Sequence, residues 1–100
     1  MSMDVEHDDP HLMEVETERT ATAGHGDSVD RGFRKVMQAI RAAVDERDLY
    51  RHKSLHFEQL QGNRAGQRSL RINRQWRLIV ELRGTAPNKK VGVLRIEDYH

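Results

Sequence analysis

A chain of one hundred residues without a cysteine can bury one modest core and has no disulfide framework or thiolate chemistry. Its 36% hydrophobic and 33% charged content, with no apolar run of membrane-spanning length and no signal-peptide pattern, predicts a single soluble domain over residues 1–100 that is cytoplasmic and has no membrane partner. The net charge of +1 is unevenly divided: residues 1–30 carry nine acids against Arg19 alone, a net of −8, whereas residues 31–100 hold sixteen basic residues against seven acids, a net of +9. That division predicts an anionic partner for the later part, and an acidic start that folds back on basic surface.

Met1 to Glu6 reads as a short first strand with Met3 and Val5 on one face. Asp9-Pro10 is a helix start, with the aspartate as cap and the proline at a position that needs no donor. Leu12, Met13 and Val15 give this helix a thin apolar stripe to about Arg19, and the glycines of Ala21–Gly26 break it. The acidic residues 1–26 are the least regular part. Asp27 or Ser28 then caps a stronger helix, in which Val29, Phe33, Val36, Met37, Ile40 and Val44 recur at amphipathic spacing. Its other face carries Arg31, Arg34, Lys35, Gln38 and Arg41, either a solvated stripe or a nucleic-acid contact. Two helices joined by so short a break predict an antiparallel pair.

Asp45 to Leu60 is a polar connector anchored by Leu49, Tyr50, Leu55, Phe57 and Leu60, with a short helical turn. Gly62-Asn63 and Gly66 mark a loop around Arg64. From Gly66 to Arg83 the chain reads GQRSLRINRQWRLIVELR, a strand pair broken at Asn73–Gln75. A two-residue turn would set Leu70 opposite Arg77 and mix core with charge. A three-residue loop sets Ile72 opposite Trp76 and Leu70 opposite Leu78, one coherent apolar face. This predicts burial of Trp76 and Leu78 against the second helix. It also sets Arg71 opposite Arg77 on the other face. Guanidiniums concentrated there are either well solvated or awaiting an anion, and their planar forks suit phosphate. After a turn at Gly84–Lys90 holding Pro87 and Asn88, a last strand runs from about Val91 to Glu97. Its apolar phase shifts between Val93 and Leu94, which predicts a bulge or burial on both faces.

Six histidines make no metal site by spacing. His7 and His11 straddle the helix boundary at Asp9-Pro10, and His52 and His56 lack a third ligand of evident position. No phosphate loop, nucleotide fingerprint or nucleophile elbow occurs. The terminal Asp98, Tyr99 and His100 offer a base, a stacking or proton-donating phenol, and a group titrating near neutrality.

The run L-x-G-x-R-x-G-Q-x-S-x-R-x-N-x-Q-W-R from Leu60 to Arg77, followed by a terminal I-x-D-Y-H, resembles the HigB (plasmid killer) branch of the RelE/ParE toxin superfamily. The resemblance extends over about residues 31–100, including the connector D-E-R-D-L-Y-x-x-K-S-L-H-F-E, and only loosely over the acidic opening. It implies an α+β, RelE-like fold with two N-terminal helices packed on a small antiparallel sheet. It further implies ribosome-dependent cleavage of messenger RNA by 2′-OH attack, with no metal or cofactor. The implied partners are a HigA-type helix-turn-helix antitoxin, the ribosome and mRNA, with operator DNA reached only through the antitoxin complex. Arg77 then matches the arginine that holds the scissile phosphate, and Asp98, Tyr99 and His100 match the terminal catalytic triplet. Arg71, Arg74, Arg64, Lys53 and His56 are the RNA-binding candidates. The chain departs from the family pattern where Gln61 replaces a lysine, Asn63 an acid and Glu58 a histidine; Glu58, His56 or Lys53 are the candidates to compensate. Two alternatives stay open: a ParE-like protein that inhibits gyrase by binding, and a weakly catalytic toxin acting mainly as co-repressor with its antitoxin.

Overall fold

The computed structural model describes residues 3–85 and 89–99. Among them, five strands form one sheet: β1 (Asp4–His7), β2 (Glu58–Gln59), β3 (Gln67–Arg71), β4 (Trp76–Arg83) and β5 (Lys90–Asp98). Their order is β1-β5-β4-β3-β2. All pairs are antiparallel except β1 with β5, so the sheet is mixed where the resemblance implied an antiparallel one. Three helices, α1 (Pro10–Thr17), α2 (Asp27–Ala42) and α3 (Glu46–Arg51), complete the fold. α3 and the 3₁₀ turn that follows it at Lys53–Leu55 are the helical part of the connector.

The hairpin has the register that its apolar face requires. Leu70 pairs with Leu78 and Arg71 with Arg77, and the Ile72 amide donates to the Trp76 carbonyl at 3.0 Å, which leaves Asn73–Gln75 as a three-residue loop. In β5 the pairing shifts between Ile79–Arg95 and Val80–Val93. Leu94 is the extra residue of a bulge, where the apolar phase changes. The core joins Leu12 and Val15 of α1, Phe33, Met37 and Ile40 of α2, and Leu70, Leu78, Val80, Val91 and Val93 of the sheet. Gly32 lets α2 come this close, because a Cβ there would stand 2.6 Å from the Ile72 carbonyl oxygen.

Several expectations need correction. Trp76 shares the face of Leu78, but it is half-buried and stacks on His25 with ring centres 4.2 Å apart. It lies at the end of its strand, beyond the core's edge. α1 stops at Thr17, two residues short of Arg19, because Arg34 donates to the carbonyls of Val15, Glu18, Arg19 and Ala21. Gly26, rather than Asp27 or Ser28, is the N-cap of α2, with Asp27 and Asp30 in its first turn. Val44 lies past the end of α2 and is exposed. Of the first strand as expected, Met1 and Ser2 lie outside the described residues, as do Pro87 and Asn88 of the late turn.

The acidic start does fold back on basic surface. Glu16 pairs with Arg41 and with His7, and Glu6 and Asp8 both pair with Arg83. Two members of the basic stripe on α2 are spent on structure, Arg41 on the Glu16 carboxylate and Arg34 on backbone carbonyls. No described helix is long and apolar enough to cross a membrane, and no three metal-ligating side chains gather among the described residues.

Candidate active site

Strand alternation sends Arg77, Ile79, Glu81 and Arg83 of β4 to the face away from the helices, where they meet Glu97, Arg95, Gly92 and Lys90 of β5. At the Arg77 end this outer face opens into a cleft of about 220 Å³, walled by Leu60, Ser69 and Ile79 and rimmed by Arg64, Glu97 and Tyr99. Ser69 and Ile79 are buried although they face away from the core, which gives the cleft a dry floor.

Arg77 lies against this floor. Its guanidinium carbon sits 4.1 Å from the centre of the Tyr99 ring, a cation–π contact. Its Nε and Nη1 are buried without a hydrogen-bond partner. An unpaired guanidinium out of water is costly and an anion would satisfy it. Glu97 is directly across from Arg77 in the register, yet its carboxylate accepts from Arg64 Nη2 at 2.8 and 3.0 Å and from Arg95 Nε at 2.9 Å. Burial pushes the Glu97 carboxyl up, but the hydrogen bonds from Arg64 and Arg95 outweigh it, and the group titrates below the usual carboxylate range. Two guanidiniums thus occupy the acid directly across from Arg77, whose own Nε and Nη1 keep no hydrogen-bond partner.

The other predicted residues fall into separate places. Arg71 lies across from Arg77, with Nη1 3.4 Å from His56 Nε2. His56 adopts a left-handed backbone conformation, φ 46°, as the chain leaves the 3₁₀ turn that carries Lys53. Arg74 is exposed at the hairpin tip. Asp98 pairs in register with Trp76 and accepts from Gln75 Nε2 at 3.0 Å, and at the strand's end it lines the same cleft as Arg77 and Tyr99. Tyr99 is held by its own amide, which donates to the Gln75 carbonyl. His100 lies outside the described residues. Sequence reasoning passed over Glu97, Arg95 and Ser69. The register that sets Arg71 opposite Arg77 also sets Ser69 opposite Ile79, and continuing it into β5 across the bulge would have found Glu97 and Arg95.

Helices on one face of a five-stranded sheet and a cationic cleft on the other define a RelE-like α+β scaffold. A solved structure of a YoeB/ParE toxin from Agrobacterium tumefaciens shares the fold, with a TM-score of 0.57 at 15% identity over 98% of this chain and 100% of that one. A search of curated proteins found no match. Residues 16–99 match the family described as RelE-like toxin of type II toxin-antitoxin system HigB. The chain belongs to that family of HigB-like toxins, and its class implies an antitoxin partner.

Proposed function

We propose that this toxin is a ribosome-dependent endoribonuclease that cuts messenger RNA by 2′-OH attack on the adjacent phosphate. The observation that carries the reading is Arg77, whose buried and unpartnered Nε and Nη1 border a cleft with room for a phosphate. Such a reaction needs the 2′-OH deprotonated, the negative charge growing on the phosphoryl oxygens stabilised, and the leaving 5′-oxygen protonated. Arg77 supplies the second of these: a preorganised cation in a dry site is worth far more than one in water. Tyr99, stacked over that cation and exposed on its other side, serves as a platform for a base or as a proton handler. His100 carries the proton, and Asp98, at the edge of the same cleft, fixes Gln75 and with it Tyr99. Arg71, Arg74, Arg64, Lys53 and His56 hold the RNA backbone, and the requirement for a 2′-OH restricts the substrate to RNA. The antitoxin in this reading is of the helix-turn-helix HigA type, and operator DNA is met only through the complex.

The test is to map RNA 5′ ends after induction and to repeat the reaction with purified ribosomes. His100→Gln should stay folded and still bind antitoxin, while cleavage falls roughly 10²–10⁴-fold, the range for a lost general acid or base. Undiminished toxicity in a folded His100→Gln variant would remove the acid/base assignment. Growth arrest with intact mRNA and DNA breaks would favour gyrase inhibition instead.

A further inference from the structure

A second, roomier hollow is separate from the Arg77 cleft. It spans about 540 Å³ between α2 and the 3₁₀ turn at Lys53–Leu55. An adjoining recess shares Ala39, His52 and Leu55 with it and extends past Ala42 to Leu49 and to Asp48, which is paired with Arg51, so the two form one elongated groove with its cations at the Lys35 end. The floor is aliphatic, from Val36, Ala39, Leu55 and Ile72. The charged groups of the larger recess are Lys35 and Arg71, with His52 beside them and no acid among its lining residues. Lys35 is exposed and has no ion pair among the described residues, although its neighbours on the same helix, Arg34 and Arg41, are both engaged.

We propose that this groove is the seat of an acidic, amphipathic segment of the protein partner, the antitoxin, whose apolar side chains fill the floor while its carboxylates meet Lys35 and Arg71. Charge is one reason. Of the chain's own acidic start, Glu6, Asp8 and Glu16 are committed elsewhere, to Arg41, Arg83 and Lys90, and no acid lines the larger recess, which leaves Lys35 open to a carboxylate from outside. Shape is another: an elongated groove with an apolar floor and a polar rim fits a helix or extended peptide. RNA fits less well, because no Phe, Tyr or Trp lines the groove and its one ring is the His52 imidazole, whereas single strands are gripped by stacking on successive aromatic rings as well as by charge. Arg71 belongs to both surfaces, lining the groove and lying across from Arg77. Where the RNA reading above holds, a carboxylate on Arg71 would therefore weaken RNA binding without covering the cleft.

The experiment is a calorimetric titration of the full-length toxin with the purified antitoxin that neutralises it on coexpression. Lys35→Glu is compared with Arg31→Glu, which makes the same change of charge on α2 outside the groove. Ala39→Leu narrows the groove without touching charge, and melting curves establish that each variant is folded. Lys35→Glu should weaken the complex about 10-fold or more and flatten its salt dependence, Ala39→Leu should weaken it at every salt concentration, and Arg31→Glu should change it about 3-fold or less. Equal losses for Lys35→Glu and Arg31→Glu would mean general charge attraction and overturn the proposal. So would an unchanged antitoxin affinity with loss of binding to a 2′-O-methyl oligoribonucleotide, which would hand the groove to RNA. Because the titration requires no cleavage, a toxin that cut no RNA would leave its outcome standing.

Discussion

Two arginines on the same face of the same strand, Arg77 and Arg83, have opposite fates. Arg83 donates to Glu81, Glu6 and Asp8, lies over Gly92, whose missing Cβ would fall 2.3 Å from its guanidinium carbon, and is held charged well above its ordinary range, first by Asp8 and then by Glu81 and Glu6. Arg77 has an aromatic ring over it, two buried unpaired nitrogens, and a facing carboxylate that Arg64 and Arg95 hold away. The difference comes from topology. β1 adds beside β5 in parallel, delivering Glu6 and Asp8 to one end of the outer face, whereas at the other end the strand's own Glu97 is held by Arg64 and Arg95. A guanidinium bonded to three carboxylates is a staple; one with two buried, unpaired nitrogens at the edge of a cleft is a site.

The strongest way to break this comparison is to remove each arginine in turn. Arg77→Ala should lower RNA cleavage by roughly 10²–10³-fold, the scale of a lost charge-stabilising donor, with a melting temperature unchanged or raised, since a poorly paired buried group leaves the protein. Arg83→Ala should do the reverse, keeping cleavage near the parent rate while lowering the melting temperature, because three carboxylates then face one another. Equal kinetic losses from both would mean that the whole basic face, rather than the cleft, engages RNA.

A smaller effect is expected at Glu97, which acts through other residues by holding Arg64 and Arg95. Glu97→Gln adds positive charge to the cleft, so binding of a non-cleavable RNA should tighten at low salt. Turnover should nevertheless fall roughly 10-fold to 10²-fold, because Arg64 is no longer fixed and misplacement is costly. Glu97→Asp should recover part of the rate. A variant in which binding and turnover fell together would indicate that Glu97 merely supports the fold.

Much of this was legible in the sequence because it depends on alternation. The three-residue loop followed from the need to match Leu70 with Leu78, and the bulge at Leu94 followed from a phase break visible in the strand. Depth was not legible. Alternation puts Trp76 on the core face but cannot tell that it sits past the last layer, against His25. Nor does helical periodicity distinguish an arginine that stays in solvent from Arg34, which caps the carbonyls of another helix nineteen residues back. The parallel pairing of β1 with β5 joins residues far apart in the chain, so no local signal announced the Arg83 staple. In the site, Arg77 and Tyr99 were found by motif and are in contact. Asp98, also found by motif, lines the same cleft although alternation pairs it with Trp76, and Glu97 went unread because the motif treats its position as variable.

The smallest expected effect is the acid dependence of stability, which measures both ends of the face at once. Asp8 and Glu6 titrate below the usual range chiefly through hydrogen bonds from Arg83. Glu97 does so because Arg64 and Arg95 overcome its burial, and Glu16 does so first through its hydrogen bond from Arg41. A carboxyl whose pKa is depressed in the folded state holds fewer protons than in the unfolded chain above the folded value. Its contribution to stability is therefore present above the unfolded value, near 4, and is lost as pH falls through the folded one. The melting temperature should be nearly level from about pH 7 to pH 5 and drop below about pH 4.5. Arg83→Ala releases Asp8 and part of the hold on Glu6, so its acid limb should be shallower than the parent's, whereas Glu97→Gln removes a single depressed group and should fall between the two. Melting curves across this range for the three proteins decide the matter: an Arg83→Ala limb as steep as the parent's would mean that the Arg83 cluster adds no proton-linked stability, and the contrast between the two arginines would then rest on Arg77 alone.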